Sequence, residues 1–333
     1  MSGPTQTAAR AGAAPERAAL AVFVIAAVAA LAAFPQLAEP YHVTLMLPAI
    51  AYAIALLGFN LLFGSAGLMS FGHALFVALG AYAAAVLTSK LHVRSFELIL
   101  VVAGLVAVVV AIPVALLSVR YVRIFFGILT LAFGMLFHSF LFKFYDLTGG
   151  DTGIRVLRPT LLGMDFKSLD KTAFLIGPFY YACLLLGVVL GFVMWRIVHS
   201  PFGMHLAAIR ENARKAEYLG VRVHLLRLIA FLISAFYCAI GGAILAINTG
   251  QADPELAYWT HSGELVFMTV LGGFASFFGP VVGAFTFVFL KSSLMGATEY
   301  WRFFLGAILA LIVVAFPRGL MGLAHDAWQK VRP

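Results

Sequence analysis

Long apolar runs, separated by short polar stretches, follow one another along most of this chain. A helix of about 20 apolar residues is long enough to cross the hydrocarbon core of a bilayer. A transmembrane β-barrel would instead show short segments of alternating polarity, and the sequence contains none. The pattern therefore predicts an all-α, polytopic membrane protein with about 8–10 transmembrane segments. Eight predicted spans are 18–36, 43–63, 71–88, 98–117, 123–142, 173–198, 226–248 and 300–317.

Two apolar segments are interrupted by glycine. The region 264–290 contains GGFASFFGP and is compatible with one straight span or with two half-helices, and the segment 58–82 is interrupted similarly. Both contain Gly-x-x-Ser-Phe, at 67–71 and at 273–277. Glycine-broken segments in the two halves of a chain are typical of a pseudo-repeat around a transport site. The alternative is chance similarity among small residues that membrane helices often use. In either case, irregular backbone at membrane depth must be buried or line a cavity.

Composition excludes a soluble fold. Only 11% of the 333 residues are charged, against roughly 25% in soluble domains, and the mean hydropathy is +1.01. The net charge of +8 indicates basic cytoplasmic loops rather than nucleic-acid binding. Cys183 and Cys238 both lie in apolar runs and predict no disulfide or metal site. The chain also lacks a P-loop, His-Glu-x-x-His, Cys-x-x-Cys and Gly-x-Ser-x-Gly, so we predict no catalytic residues and no cofactor on it.

The distribution of Lys and Arg predicts the orientation. We take the N-terminus to be inside. If the region 264–290 enters the membrane and returns, 13 of the 22 basic residues lie inside and 9 outside. If it is one straight span, 12 lie inside and 10 outside. The rule that basic residues lie inside favours the broken version. We predict a disordered cytoplasmic tail at 1–17, a single transmembrane domain at 18–320 and a cytoplasmic tail at 321–333. The length of the first apolar run favours a span over a cleaved signal sequence.

One stretch is unusually charged. LAAIRENARKAEYLGVRVH, at 206–224, contains six charged residues between long apolar runs. Ser200 is a predicted N-cap, Pro201 a first helical residue and Gly220 a helix end. The pattern predicts a short amphipathic helix in a cytoplasmic loop at 199–226. Such a helix either rests on anionic headgroups or docks onto a cytoplasmic partner. Its predicted apolar face consists of Leu206, Ile209, Ala213 and Ala216.

Few polar residues interrupt the predicted spans. No span contains an unpaired Asp, Glu, Lys or Arg near its centre, which argues against an ion-coupled carrier with an embedded carboxylate. His73 lies close to the predicted inner membrane boundary. An intramembrane histidine is a functional hypothesis by default, and a hydrated structural role is the alternative at this position.

Several blocks in order resemble one family. GFNLLFGSAGLMSFGHALFVALGAY, at 58–82, is similar to the early core of permease subunits from branched-chain amino acid ABC importers. ILTLAFGMLF followed by DLTGGDTGI, at 128–154, resembles the fifth span and outer loop of that family. The stretch 200–246 resembles its cytoplasmic coupling loop and next span, and VLGGFASFFGPVVGAFTF resembles its late glycine-rich segment. The similarity is strongest to the longer of the two permease types in the family.

The resemblance implies a bacterial inner-membrane subunit with a cytoplasmic N-terminus. Its implied partners are two ATPases that bind ATP and Mg, a second homologous permease and a periplasmic binding protein at loops 143–172 and 249–263. No nucleic acid is implied. The implied substrates are branched-chain or other neutral amino acids, with urea, short amides and aromatic acids as alternatives. A gradient-driven secondary carrier or facilitator is the competing hypothesis.

The resemblance also implies roles for individual residues. It makes 199–226 a coupling helix that an ATPase grips, and it places small or polar residues of the broken segments along an alternating-access pathway. The implied ATPase-coupling residues are Ala208, Arg210, Glu211, Asn212, Arg214, Ala216, Glu217 and Gly220. The predicted pathway residues are Asn60, Gly67, Ser70, Gly72, Thr130, Gly149 and Gly150.

Overall fold

The structure is a computed structural model that describes residues 22, 24–121, 124–166, 168–316 and 318–323. The predicted tail at 1–17 and most of the tail at 321–333 lie outside the described residues. The rest is predominantly helical, as predicted. In chain order the helices are α1 (Val24–Leu37), α2 (Pro40–Asn60), α3 (Ala74–Ala85), α4 (Phe96–Ser118), α5 (Ile124–Lys143), α6 (Tyr145–Thr148), α7 (Lys171–Phe174), α8 (Tyr180–Val198), α9 (Pro201–Tyr218), α10 (Val223–Thr249), α11 (Trp259–Gly272), α12 (Gly279–Ala297) and α13 (Trp301–Ala315).

Within the described residues, seven helices are long and apolar enough to cross a membrane, namely Pro40–Ser65, Phe96–Ser118, Ile124–Lys143, Lys171–Val198, Val223–Thr249, Gly279–Ala297 and Trp301–Leu323. Two shorter apolar helices, Val24–Leu37 and Ala74–Lys90, accompany them. The half-helix α11 is a further short helix of the bundle. The prediction of a polytopic helical membrane protein that includes glycine-broken half-helices is therefore confirmed.

Three of these spans contain π-helical turns, at Leu61–Ser65, Val86–Lys90 and Leu175–Phe179. Single π-turns inside α-helices often accompany functional sites. The first of them ends α2 within the earlier glycine-broken segment, before the chain turns at Gly67 and restarts as α3.

Helix α10 is the centre of the bundle, where it packs against α2, α3 and α4. Small residues allow this close packing. A Cβ atom at Gly80 would overlap the carbonyl of Ala239, and one at Gly242 would overlap the carbonyl of Val77. In a membrane, where helices gain little from the hydrophobic effect, small residues strengthen helix association by allowing close van der Waals packing. The side chains of α5, α8 and α12 are less buried than those of α2 and α10.

The region 264–290 consists of two helices. Helices α11 and α12 are antiparallel, because Gly272 meets the backbone of Gly279 and Gly283 meets that of Met268. The turn between them begins at Gly273, whose φ of +104° is a conformation that L-residues with a side chain rarely adopt. The chain thus enters and returns, and the straight-span alternative is excluded. We refer to α11 and α12 together as the hairpin.

The pseudo-repeat stays a prediction. Each broken segment turns at a glycine of positive φ, Gly67 or Gly273. However, in the first segment the long helix α2 precedes the short α3, whereas in the second the short α11 precedes the long α12.

The two ends of the bundle differ. Helix α10 has 27 residues and is about 40 Å long at a rise of 1.5 Å per residue. It separates the end that carries α9, called here the α9 side, from the opposite end, called the loop side. On the loop side, strand β1 (Ile154–Arg155) pairs antiparallel with β2 (Gln251–Ala252). The two predicted outer loops, 143–172 and 249–263, therefore join on one side of the molecule.

Candidate functional site

Helix α9 forms where the charged stretch was predicted to be helical. Pro201 occupies its first turn, as expected, because the ring fixes a helical φ and the missing N–H has no partner there. Ser200 precedes it in extended conformation, but its hydroxyl donates to the carbonyl of Ile197 at 2.7 Å instead of capping the helix. The predicted side-chain cap is therefore wrong. The predicted apolar face is confirmed, since Leu206, Ile209 and Ala216 are buried and Ala213 is half-buried.

Helix α9 is not one rigid rod, which corrects the expectation of a continuous coupling helix. Asn212 leaves helical geometry, with φ −157° and ψ 98°. Its Oδ1 accepts from the N–H of Lys215 at 3.0 Å, so it is the N-cap of the helix's second part. A local cap satisfies a donor that the break would otherwise leave unpaired. The helix therefore consists of two parts joined at Asn212.

The predicted end at Gly220 is confirmed. Gly220 has φ +86°, and its N–H donates to the carbonyl of Glu217 at 2.9 Å. The N–H of Val221 donates to the carbonyl of Ala216 at 3.1 Å. These two bonds form a Schellman motif, which a glycine at the left-handed position favours.

Arg210 connects α9 to both glycine-broken segments. Its guanidinium donates to the carbonyl of Gly64 in the π-helical turn after α2. It also lies over the ring of Phe274, 5.4 Å from the centroid, at the turn of the hairpin. A Cβ atom at Gly67 would lie 3.0 Å from Cγ of Arg210. We call this set, Gly64, Gly67, Arg210 and Phe274, the junction.

The rest of the charged stretch faces outward. The exposed residues among those with an implied coupling role are Ala208, Glu211, Asn212, Arg214, Glu217 and Gly220, whereas Ala216 is buried. Beside them, Tyr218 and Leu219 are 89% and 85% exposed. An amphipathic surface of this kind, with charged and aromatic groups at the end of a short helix, is typical of an interface. Arg210 differs from the others because its head group points toward the membrane domain.

Asn60 lies next to the junction. Its Nδ2 donates to the carbonyl of Ser276 at 3.5 Å, so it links the end of α2 to the hairpin turn. Its Oδ1 is buried and has no hydrogen-bond partner among the described residues. Gly64 is required here, since a Cβ would overlap both this oxygen and the carbonyl of Phe274. Of the predicted pathway residues, Asn60 and Gly67 are thus brought together on the α9 side.

Ser70, Gly72 and Thr130 form a second group in the interior. The Thr130 hydroxyl accepts from the N–H of Phe71 at 3.3 Å, and Gly72 closely approaches the Thr130 backbone. Ser70 Oγ lies 2.6 Å from His73 Nδ1, and Ser234 Oγ lies 2.9 Å from His73 Nε2. Both ring nitrogens of His73 are therefore satisfied.

His73 is accordingly a buried core residue. Its ring is enclosed by three phenylalanines in edge-to-face contact, Phe59, Phe76 and Phe231, at centroid distances of 5.1 to 5.4 Å. The hydrated role considered for His73 does not fit this environment. Next to it, the N–H of Ala74 donates to Ser262 Oγ at 2.9 Å, so a side chain of α11 caps the first turn of α3.

Gly149 and Gly150 lie elsewhere, on the loop side. Both have positive φ, +75° and +54°, and shape the turn that follows α6. A Cβ atom at Gly149 would overlap the carbonyl of Gly153, which itself lies against Ala252. The predicted pathway residues therefore lie in three places: the α9 side, the interior and the loop side.

A polar cavity of about 230 Å³, absent from the sequence-based predictions, lies between α2 and the hairpin. Lys291 Nζ is 2.7 Å from Glu264 Oε1, and His261 Nδ1 is 3.6 Å from Glu264 Oε2. The ring of Tyr52 lies tilted against that of His261, with the two centroids 5.7 Å apart. We call it the hairpin cavity, and its polar lining includes Tyr52, Asp253, Glu255, His261, Glu264 and Lys291.

The spacing of charges in the broken segment was the signal for this cavity. Glu264 and Lys291 are 27 residues apart and lie in the two helices of the hairpin. If such a region enters and returns, these residues lie side by side. The expectation that spans hold no unpaired charge agrees with this pair, in which Lys291 lies inside α12 and contacts Glu264.

These features together define a class. Apolar spans enclose glycine-broken half-helices, and an amphipathic connecting helix contacts both breaks, which is the architecture of a polytopic membrane transport protein. Residues 41–313 match the family model described as branched-chain amino acid transport system / permease component. This match covers more than half of the chain, which therefore belongs to that family.

Relatives agree with this assignment. The high-affinity branched-chain amino acid transport system permease protein LivM of Escherichia coli K12 is 28% identical over 91% of this chain and 75% of its own length. LivH of the same strain is 23% identical over 81% of this chain and 91% of its own. The autoinducer 2 import system permease protein LsrC of Photorhabdus laumondii is 24% identical over 40% of this chain. The predicted similarity to the longer permease type, LivM, is confirmed. No solved structure matches the chain significantly.

Proposed function

We propose that this chain is the permease subunit of an ATP-driven importer of branched-chain amino acids, and that α9 is its coupling element. The junction is the observation that supports this proposal most directly. Through Arg210, a force applied to α9 would act on both glycine-broken segments at once. Family membership and the similarity to LivM and LivH support the substrate class.

The partners follow from the two ends of the bundle. On the α9 side, the exposed charges with Tyr218 and Leu219 offer a surface to an ATPase, and two such ATPases would bind ATP and Mg. On the loop side, the joined loops 143–172 and 249–263 offer a surface to a periplasmic binding protein. The weakly buried faces of α5, α8 and α12 face lipid or a second permease subunit.

The same arrangement supports an orientation in the bacterial inner membrane. If α9 is cytoplasmic, the contact of Arg210 with Gly64 puts the end of α2 on the cytoplasmic side. Helix α2 then begins outside at Pro40, and α1 begins inside at Val24. A cytoplasmic N-terminus agrees with the greater number of basic residues inside.

In the proposed cycle, ATP-driven closure of the ATPases moves α9, and the two broken segments follow through the junction. The hinge at Asn212 allows the outer part of α9 to remain in a partner groove while the part that includes Arg210 moves with the membrane domain. Solute then passes between alternately open sides of the spans.

A second function has one observation in its favour. Ionisable residues at membrane depth are typical of ion-coupled carriers, and the hairpin cavity contains His261, Glu264 and Lys291. A secondary carrier would transport solute when driven by a proton or sodium gradient, with no ATPase present.

Reconstitution separates the two functions. The chain is placed in proteoliposomes alone, and together with its co-purified ATPases, second permease and binding protein. The proposal expects leucine uptake only from the complete assembly with ATP. Glu217→Lys should weaken ATPase co-purification, because it reverses an exposed charge on α9, while Glu299→Lys on the loop side should leave it unchanged. Gradient-driven uptake by the chain alone would refute the proposal.

A further inference from the structure

The hairpin cavity begins on the loop side, where the exposed Asp253, Glu255 and Thr260 form part of its lining, and extends inward to Tyr52 and Lys291. Tyr52 lies twelve residues after the first residue of α2, and Lys291 lies twelve residues after the first residue of α12. At 1.5 Å per residue, Tyr52 is about 18 Å from the loop-side end of α2. Lys291, six residues before the end of α12, is about 9 Å from the loop-side end of that helix. A transport site of a membrane carrier typically lies near the bilayer midplane, at the ends of discontinuous helices. Helix α11, which contains His261 and Glu264, is such a half-helix.

The ion pair in this cavity is poorly explained as a source of stability. Lys291 Nζ and Glu264 Oε1 are 2.7 Å apart, and both side chains are half-buried, with 30% and 24% of their surface exposed. Removing two charges from water costs several kcal/mol per ion in a protein, and their attraction often fails to repay it. Ionisable residues within membrane segments are therefore retained mainly for function.

The cavity's chemistry complements a zwitterion. Lys291 can donate to a carboxylate, and Glu264 and Asp253 can accept from an ammonium group. The lining holds three carboxylates, those of Asp253, Glu255 and Glu264, and the ammonium of Lys291, so it offers more acceptors for the ammonium end of a ligand than cationic donors for the carboxylate end. His261 Nε2 is buried without a hydrogen-bond partner among the described residues, and so remains available to a ligand.

We propose that the hairpin cavity binds the α-ammonium and α-carboxylate groups of a free amino acid as it crosses the membrane. This site rests on the proposed function and specifies which part of the substrate the permease itself recognises. Glu264 and Asp253 accept from the ammonium, and Lys291 donates to the carboxylate.

Two features make this binding weak and unselective. Lys291 and Glu264 already pair with each other, so a ligand must displace an existing ion pair to bind. The cavity, at about 230 Å³, is smaller than the roughly 300–1,000 Å³ of sites for drug-sized ligands. It fits the charged end that all α-amino acids share, and it leaves selection among leucine, isoleucine and valine to another component.

Direct binding to the assembled permease complex tests this site. The complex, with its ATPases but without binding protein, is placed in nanodiscs, and saturable binding of radiolabelled leucine is measured up to millimolar concentration. Competition by leucine is compared with 3-methylbutylamine, which lacks the carboxylate, and 4-methylpentanoate, which lacks the ammonium. Leucine should compete about 10- to 100-fold better than either, the range expected from losing one charged hydrogen bond. Isoleucine and valine should compete as well as leucine.

The double variant Glu264→Gln/Lys291→Met distinguishes a binding role from a structural one. Replacing both partners of a buried ion pair by neutral groups of similar shape is often harmless to stability. We expect the double variant to assemble with its ATPases and to lose the preference for leucine over the two analogues. Asp253→Asn retains the oxygen that accepts from the N–H of Glu255 at 2.9 Å. It should weaken the binding of leucine and of 3-methylbutylamine, but not the binding of 4-methylpentanoate. Glu299→Gln is the control and should bind as the wild type does.

The outcomes separate the two proposals. A double variant that assembles and binds leucine with the wild-type preference would overturn the site, as would a wild-type complex without saturable leucine binding. If the double variant fails to assemble, the Asp253→Asn variant decides: unchanged leucine binding by that variant would overturn the proposed site. Failure of the proposed function would be visible separately, as wild-type chain that does not co-purify with an ATPase.

Discussion

Replacing Arg210 with glutamine should uncouple ATP hydrolysis from transport. The substitution removes the guanidinium that donates to the Gly64 carbonyl and lies over the Phe274 ring. A hydrogen bond to a charged group contributes about 1.5–3 kcal/mol, and an exposed cation–π contact about 0.5–1 kcal/mol. Because Arg210 is otherwise exposed, the lower ends apply, for a total of about 2 kcal/mol. That free energy corresponds to roughly a 30-fold change in an equilibrium.

The folded state should survive this change. Leu206 and Ile209 remain buried on the same turns of α9, so the helix stays attached to the membrane domain without the junction. The expected result is a complex that binds its ATPases and hydrolyses ATP but imports about 10- to 30-fold less leucine per ATP. The assay is leucine uptake and phosphate release, measured together in proteoliposomes of the complete importer.

Arg214→Gln is the matched control. Arg214 is exposed on the same helix, beyond the Asn212 break, and should affect ATPase co-purification without changing the leucine imported per ATP by bound complexes. An unchanged ratio in Arg210→Gln would refute the reasoning. Loss of ATPase binding in Arg210→Gln but not in Arg214→Gln would show that Arg210 contacts the partner instead.

Three further substitutions test the fold around the site. Gly283→Ala would place a Cβ against the backbone carbonyl of Met268, which cannot move aside, so the two helices of the hairpin should separate. The measurement is size-exclusion chromatography, which should show a loss of folded protein. Gly263→Ala is the control and should be tolerated, because a Cβ there meets nothing within 4 Å. Gly220→Ala strains only the backbone at φ +86° and should cost about 1–2 kcal/mol, measured as a lowered Tm. Asp170 caps α7, and the N–H groups of Lys171 and Thr172 hold the pKa of its carboxyl below the usual value. The stabilisation by the Asp170 carboxylate is fully present above the pKa that this group has in the unfolded chain, and it is lost as the pH falls through the lower pKa of the folded protein. The Tm difference between wild type and Asp170→Ala should therefore shrink below a pH of about 4.

The features that the sequence predicted well are those encoded locally. Apolar runs determine the spans, because an unbroken run of about 20 such residues has no stable alternative to crossing the membrane. The break in the hairpin was visible as Gly272 and Gly273, and only a glycine tolerates the φ of +104° at the turn. The end of α9 at Gly220 follows from the same property.

The features that were missed depend on distant partners. Arg210 occurs in a polar run and so suggests a solvated or partner-facing side chain, yet its acceptor is the carbonyl of Gly64, 146 residues earlier. That carbonyl is available only because a π-helical turn interrupts the end of α2. The break at Asn212 had a local signal, since asparagine is among the preferred N-caps, but helix-forming neighbours on both sides masked it.

The positions of the predicted pathway residues along the membrane normal were equally hard to predict from the sequence. Gly149 resembles Gly67 in having a positive φ, but the first lies on the loop side and the second at the junction. Residue type identifies where the backbone must be unusual, whereas tertiary packing decides which of those positions meet. Packing brought Ser70, Gly72 and Thr130 into contact, whereas Asn60 and Gly67 share the α9 side but contact different partners.

The junction and the hairpin cavity are two ends of one rigid element. Helix α11 has 14 residues, about 21 Å, and runs from His261 and Glu264 near the cavity to the turn that contains Phe274. Its backbone is in direct contact with that of α12 at Gly272 and Gly283, so the two helices cannot slide independently. A displacement imposed on Phe274 by Arg210 must therefore move Glu264 and Lys291 relative to Tyr52, which belongs to α2. Such a shift would change the spacing of the charges that hold a zwitterion. A double-mutant cycle between Arg210→Gln and Tyr52→Phe, read out as leucine affinity, should therefore give a non-zero coupling energy, and strict additivity would show that the two ends act independently.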